Sequence, residues 1–256
     1  MPDPMHFERH ADLYDRARPP YPDALAERLA ALGLLVPGRR ALDLGAGSGQ
    51  ATRILAAAGM DVTAVEPGAA LAARLGANLP DVRVQQTTAE ALALPPASVD
   101  LVTIATAVHW FDLPVVLPLL HAALVPEGRL AVWRTVYGDR TVPATPFRER
   151  VAAIAARREA PPRPGPDETE TTAWAQLLEQ DGWFETVHTD EFRWEARLDA
   201  DQILGLFTTF SDWTRSEAEE AADAVRELGG RVTEHYVTPL IVLAPTCRSA
   251  AVPVDV

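Results

Sequence analysis

The sequence predicts an α/β fold, a doubly wound, mostly parallel sheet of about seven strands with helices on both faces. Three observations predict it. Short apolar segments alternate with helical ones from residue 39 to residue 134, the pattern of successive βα units. The first apolar segment runs into a glycine-rich turn within residues 41–50, and glycines let a strand pass sharply into a helix. Two more strand-like segments, 186–197 and 235–244, follow the alternation and need a sheet to join.

Residues 21–33 read as an opening helix. Pro22 suits a first turn, Asp23 favours the positive end of the helix dipole, and Leu25, Leu29 and Leu32 share a face before Gly33. A strand over 39–44, a helix over 49–58 closed by Gly59, a strand over 61–66 and a helix over 68–75 follow. Strands at 82–86 and 99–105, a helix at 114–124 and a strand at 128–134 complete the alternation. Residues 159–167, EAPPRPGPD, are too rich in proline for a regular element and read as an exposed connection. Helical material over 200–228 reads as a lid, a C-terminal helical insertion between the last two strands. The chain is expected to be one domain, with 1–34 an N-terminal helical segment, 35–134 a core, 135–245 sheet completion and cap, and 246–256 a loose tail.

Composition narrows the partners. With 48% hydrophobic and 23% charged residues the chain resembles an ordinary folded domain. A formal net charge of -13 and no dense Lys/Arg run make a phosphate backbone an unfavourable partner, so nucleic acid is not expected. No apolar stretch approaches the roughly 20 residues that span a bilayer. The opening MPDPMHFERH lacks the basic-then-apolar pattern of a signal peptide, and Cys247 is a lone cysteine, so the expected location is the cytoplasm. The six histidines are scattered without H-x-x-x-H or H-E-x-x-H spacing, and no metal is expected. Oligomeric state is not legible.

The chemistry concentrates in ALDLGAGSGQ, residues 41–50, where Asp43 precedes Gly45, Gly47 and Gly49. A dinucleotide fingerprint needs G-x-G-x-x-G, whereas this run is D-x-G-x-G-x-G with Gln50 where the third dinucleotide glycine would fall. An acid in the turn is a poor neighbour for pyrophosphate and suits a ligand carrying positive charge. Glu66 ends the next apolar segment, 23 positions after Asp43, near the spacing of about 20 at which an acid meets ribose hydroxyls. Together they outline a nucleoside site at the carboxyl ends of the first two strands.

Four blocks carry a family resemblance: YDRARPPYP at 14–22, ALDLGAGSGQ, VTAVEPGAAL at 62–71, and AEALALPPASVDLV at 89–102 followed by HWF at 109–111. The chain resembles the class I S-adenosylmethionine-dependent methyltransferases, in particular the small-molecule branch of trans-aconitate and ubiquinone-biosynthesis type. The resemblance covers residues 7–134 and implies a Rossmann-like fold and S-adenosylmethionine as cofactor. It implies that Asp43, Gly45, Gly47 and Gly49 surround the methionine part and that Glu66 holds the ribose. Ala89 and Glu90 would lie beside the adenine, while Tyr14 and Arg18 would close over the cofactor carboxylate. Many relatives have an acid where this chain has Thr88, which can still hydrogen-bond. The Asn-Pro-Pro-aromatic signature of amino-group methylation on DNA or glutamine is absent, since ATAVHWF stands after the fourth strand.

Methyl transfer from a sulfonium needs positioning and exclusion of water, and needs a base only if the acceptor arrives protonated. His109, after the strand LVTIATAV, is the candidate base, and Trp110 beside it a candidate pocket wall. Arg134 ends the strand RLAVWR and could pair with an acidic acceptor, although a solvated edge arginine is the simpler reading. Phe207, Phe210 and Trp213 could line a substrate pocket, or serve as the packed face of a helix. Two other functions remain open at this level: a homologue that keeps the cofactor site for regulation or a non-methylating reaction, and a nicotinamide-dependent oxidoreductase.

Overall fold

The computed structural model describes residues 13, 16–158 and 165–247. Helix α1 (Asp23–Ala31) precedes β1 (Arg40–Leu44), α2 (Gln50–Ala57), β2 (Asp61–Val65), α3 (Ala69–Asn78), β3 (Arg83–Gln85) and β4 (Val99–Ala105). Then come α4 (Leu113–Ala123), β5 (Leu124–Trp133), a two-residue β6 (Val136–Tyr137), α5 (Pro146–Ala155) and α6 (Thr171–Glu179). The chain closes with β7 (Phe184–Asp199), α7 (Ala200–Thr208), α8 (Arg215–Glu227) and β8 (Arg231–Pro245).

The sheet runs β3-β2-β1-β4-β5-β8-β6, with β7 on the other side of β8, so it has eight strands where about seven were expected. The additional one is β6, which pairs antiparallel with the far half of β8. From β3 to β5 the strands are parallel, and the β7–β8 hairpin joins with β8 antiparallel to β5.

Alternation along the strands sorts the core into two layers. Leu42, Leu44, Val102, Ile104 and Val132 face α4 and α6, while Ala41, Leu101, Ala131 and Trp133 face α1 and α2. The hairpin outruns the sheet, and on its overhang sits the expected cap. Phe147 and Val151 of α5, Ile203 and Phe207 of α7, and Ala218 and Val225 of α8 pack with Leu198, Val232 and Tyr236.

The 200–228 material is two helices, each fixed by a capping box: Asp199 with Gln202, and Thr214 with Glu217. Helices α5 and α6 were not anticipated. The expected connection over 159–167 lies outside the described residues at 159–164. The tail begins tethered, because Thr246 donates from its amide to the Trp183 carbonyl at 3.0 Å and from its hydroxyl to the Gly182 carbonyl at 2.7 Å. Residues 248–256 lie outside the described residues.

Candidate functional site

The parallel strands end on one rim, where ligands of open α/β sheets bind. After Leu44 the chain turns through Gly45, Gly47 and Gly49 at φ 65°, 58° and 95°, the left-handed region. A Cβ on Gly45 would stand 2.5 Å from the Ala107 Cβ, so the turn after β1 packs directly against the turn after β4. The Gly45 and Ala46 amides both donate to the Val65 carbonyl, at 2.9 and 3.0 Å, which ties the turn to the end of β2.

Glu66 sits at that end and is buried. Its Oε2 accepts from the Gly47 amide at 2.8 Å and its Oε1 from the Gly68 amide at 2.9 Å. The carboxylate thus braces the glycine-rich turn against the start of α3, and each oxygen keeps further acceptor capacity toward the rim. The Ser48 hydroxyl in the same turn is buried without a hydrogen-bond partner.

Asp43, which the resemblance sets around the methionine part, does not face solvent at the rim. It is fully buried under the turn, with Oδ2 accepting from the Thr52 hydroxyl at 2.6 Å and Oδ1 from the Thr103 hydroxyl at 2.8 Å. Asp43 and Thr103 are register partners across β1 and β4, and Thr52 lies on α2 above that face. Burial raises the Asp43 carboxyl to about 6, against the two hydroxyl bonds, and the charge of Glu66 nearby pushes it the same way. Asp43 is thereby tied to the helix that follows the turn and to β4.

The N-terminal segment crosses this rim. The Gln50 amide donates to the Arg18 carbonyl at 3.2 Å, and Arg18 in turn donates to the Thr209 hydroxyl and carbonyl, both at 3.3 Å. Its guanidinium lies over Phe210 and Tyr137 at 5.3 and 5.9 Å. Arg18 therefore links the start of α2 to the cap, a contact that the sequence reading had not assigned. Tyr14 lies outside the described residues.

One pair was missed altogether: the Tyr21 hydroxyl meets the Thr106 hydroxyl at 2.9 Å. Thr106 follows β4 with φ 59°, a conformation rare for a β-branched residue and one that clusters where function holds a chain in place.

A short 3-10 turn over Ala89–Ala91 buries Ala89, while the Glu90 carboxylate accepts from the Asp112 amide at 3.1 Å. Thr88 precedes this turn in extended conformation. His109 lies in a second 3-10 turn, Val108–Trp110, and both His109 and Trp110 are exposed, their rings 4.9 Å apart.

Arg134 is a correction to the solvated-edge reading. It is 7% exposed, with its guanidinium 4.0 Å from the centre of the Trp174 ring. Of the three aromatic side chains expected near the acceptor, Phe207 is buried against Phe147, and Trp213 packs on Phe207 and under Arg158. Only Phe210 reaches Arg18 and Tyr137 at the rim.

With this geometry in place, the comparisons decide the family. Residues 42–132 match the model of a methyltransferase domain. A methyltransferase-like protein of Schizosaccharomyces pombe is 30% identical over 226 residues, covering 87% of this chain and 84% of the relative. The chain belongs to the class I S-adenosylmethionine-dependent methyltransferases. A methyltransferase of Mycobacterium tuberculosis is 42% identical over 132 residues, 51% of this chain and 53% of that protein, so the chain spans about half the length of such relatives in that match. A solved structure from Anaeromyxobacter dehalogenans, assigned as a type II methyltransferase, superposes with TM-score 0.61 at 28% identity over 89% of this chain and 97% of that one. S-adenosylmethionine is therefore the cofactor. The site suits it chemically, with a turn in which every second residue is glycine, a carboxylate acceptor at the end of β2 and a buried acid beneath. None of the helices in the described residues is long and apolar enough to cross a membrane.

Proposed function

We propose that the chain transfers the methyl group of S-adenosylmethionine to a small-molecule acceptor held between the strand rim and the cap. The observation that carries this reading is the Glu66 carboxylate, fixed on the Gly47 and Gly68 amides at the carboxyl end of β2. A carboxylate so placed can accept from both ribose hydroxyls, while the Gly45–Gly49 backbone lies along the methionine part. In this reading Ala89, Thr88 and Glu90 border the adenine, and Arg18 closes the N-terminal segment over the site by holding the cap at Thr209.

The cofactor supplies an electrophilic methyl on a sulfonium, and the work left to the protein is orientation and exclusion of water. Two layers exclude water here. The Arg18 to Tyr21 segment runs across the rim, and the helical cap lies beyond it, where Gly205 of α7 packs so closely that a Cβ would be 3.0 Å from Ala17. A formal net charge of -13 favours a small acceptor over a polyanion.

Glu66→Ala tests the ribose role. It is expected to weaken S-adenosylhomocysteine about tenfold to a hundredfold, the span for loss of hydrogen bonds to a charged acceptor, with the fold retained by circular dichroism. An unchanged dissociation constant by calorimetry removes Glu66 from the ribose.

His109 is exposed on the rim, an environment that suits contact with an arriving acceptor better than a desolvated base. His109→Ala is therefore expected to raise the acceptor KM with kcat changed by less than about tenfold. A fall in kcat alone, with loss of the acidic limb of the pH profile, would make His109 the base instead.

A further inference from the structure

Arg134 is a buried cation at the rim, just beyond the last residue of β5. It follows Trp133 at the end of β5, and the Trp133 carbonyl accepts from the Thr106 amide at 2.8 Å, so Arg134 stands one peptide from the strained turn after β4. Its side chain projects on the α4 and α6 face, where the Trp174 ring covers the guanidinium plane. No hydrogen bond or ion pair joins it to a described residue. Asp167 bonds to Thr169 and Arg140, at 2.6 and 2.9 Å, and both it and Glu168 act on Arg134 through their charges.

Burial lowers the Arg134 guanidinium to about 10, which leaves it charged at neutral pH. A guanidinium carries five donors, so an acceptor arriving from the rim has donors to meet. Arg134 lines a cavity of about 10 Å³ together with Val132, Glu168, Thr171, Trp174 and Ile241. That volume holds one water-sized group.

We propose that Arg134, backed by Trp174, anchors a carboxylate of the methyl acceptor. This deepens the reading above and rests on it for the word acceptor, though the anion site itself does not. Three features select a carboxylate. The guanidinium fork matches its two oxygens in one plane, the Trp174 face fixes that plane, and the charges of Glu168 and Asp167 nearby disfavour a phosphate dianion more than a singly charged carboxylate. Glu168 on the cavity wall opposes the anion, so the site favours ligands that reach the fork from the rim.

The test uses the full-length protein, with and without saturating S-adenosylhomocysteine. Acetate, succinate, citrate and benzoate are each titrated against the corresponding neutral amide, with inorganic phosphate as a further arm. At least one acid is expected to bind tenfold or more above its amide and above phosphate. Arg134→Met should abolish that preference and Arg134→Lys should restore it only in part, while S-adenosylhomocysteine affinity stays within twofold in both. Glu168→Gln should raise the affinity for the acid severalfold. The proposal is overturned if no acid is preferred over its amide, if phosphate is preferred over every acid, or if Arg134→Met keeps the preference with an unchanged melting temperature. Failure of the wild-type protein to bind S-adenosylhomocysteine defeats the methyl-transfer reading separately, because the cofactor-free titrations still judge Arg134.

Discussion

Gly47→Val is expected to lower S-adenosylhomocysteine affinity by about two decades or more while leaving the fold intact. Gly47 sits at φ 58°, where a β-branched residue is a conformational outlier, and its amide is the group that Glu66 holds. A valine must either be forced into that conformation, at roughly 1–3 kcal/mol, or draw the turn off the Glu66 carboxylate. Either outcome moves the backbone that the proposed function sets along the methionine part and adds a branched side chain there. The measurement is calorimetric titration of wild type and variant, with far-ultraviolet dichroism to establish that both are folded. A dissociation constant within threefold of wild type would remove the glycine-rich turn from the cofactor's path.

The second large effect concerns pH and Asp43. Its carboxyl is raised in the folded state from 3.8 to about 6, chiefly by burial. The folded state therefore binds the proton more tightly than the unfolded chain, and stability from this group is fully present below about pH 4 and lost as pH rises through about 6. The loss amounts to about 3 kcal/mol by pH 7, of which about 2 falls between pH 4.5 and 7. Asp43→Asn cannot ionise, so its urea-unfolding free energy should rise relative to that of wild type by about 2 kcal/mol over the same interval. Parallel pH profiles for the two proteins would show that the Asp43 proton is not coupled to folding. The same burial keeps water from screening the carboxylate, so its field on the turn above is larger than that of an exposed acid.

Much of this could be read from the chain. β4 begins and ends as the apolar run 99–105 predicts, and α1 to α4 fall within a few residues of their expected bounds, because each is framed by local signals such as Pro22, Gly59 and the apolar spacing. The burial of Asp43 was also available in principle. It alternates with Leu42 and Leu44, so it must face the other side of the sheet, where Thr52 comes nine residues later on the helix that covers it. Helix α5 carried a start signal as well, since Thr145 accepts from the Arg148 amide ahead of Pro146 in the first turn.

Other features depend on partners far along the chain. Arg134 is buried because Trp174, on a helix that follows the proline-rich connection, folds back over it. Arg18 is drawn to Thr209 across the whole sheet, and Tyr21 to Thr106. No local pattern marks such pairs. The aromatic residues of α7 and the segment after it were ambiguous for a related reason. Helical spacing alone does not separate Phe207, packed inside the cap, from Phe210, which meets Arg18 at the rim.

The most direct test of the account is titration of the wild-type protein with S-adenosylhomocysteine and, in parallel, with NADH. Saturable one-site binding of S-adenosylhomocysteine without measurable heat from NADH is the predicted result. Binding of NADH without S-adenosylhomocysteine, or of neither, would contradict the assignment of the glycine-rich turn and Glu66 to a sulfonium nucleoside.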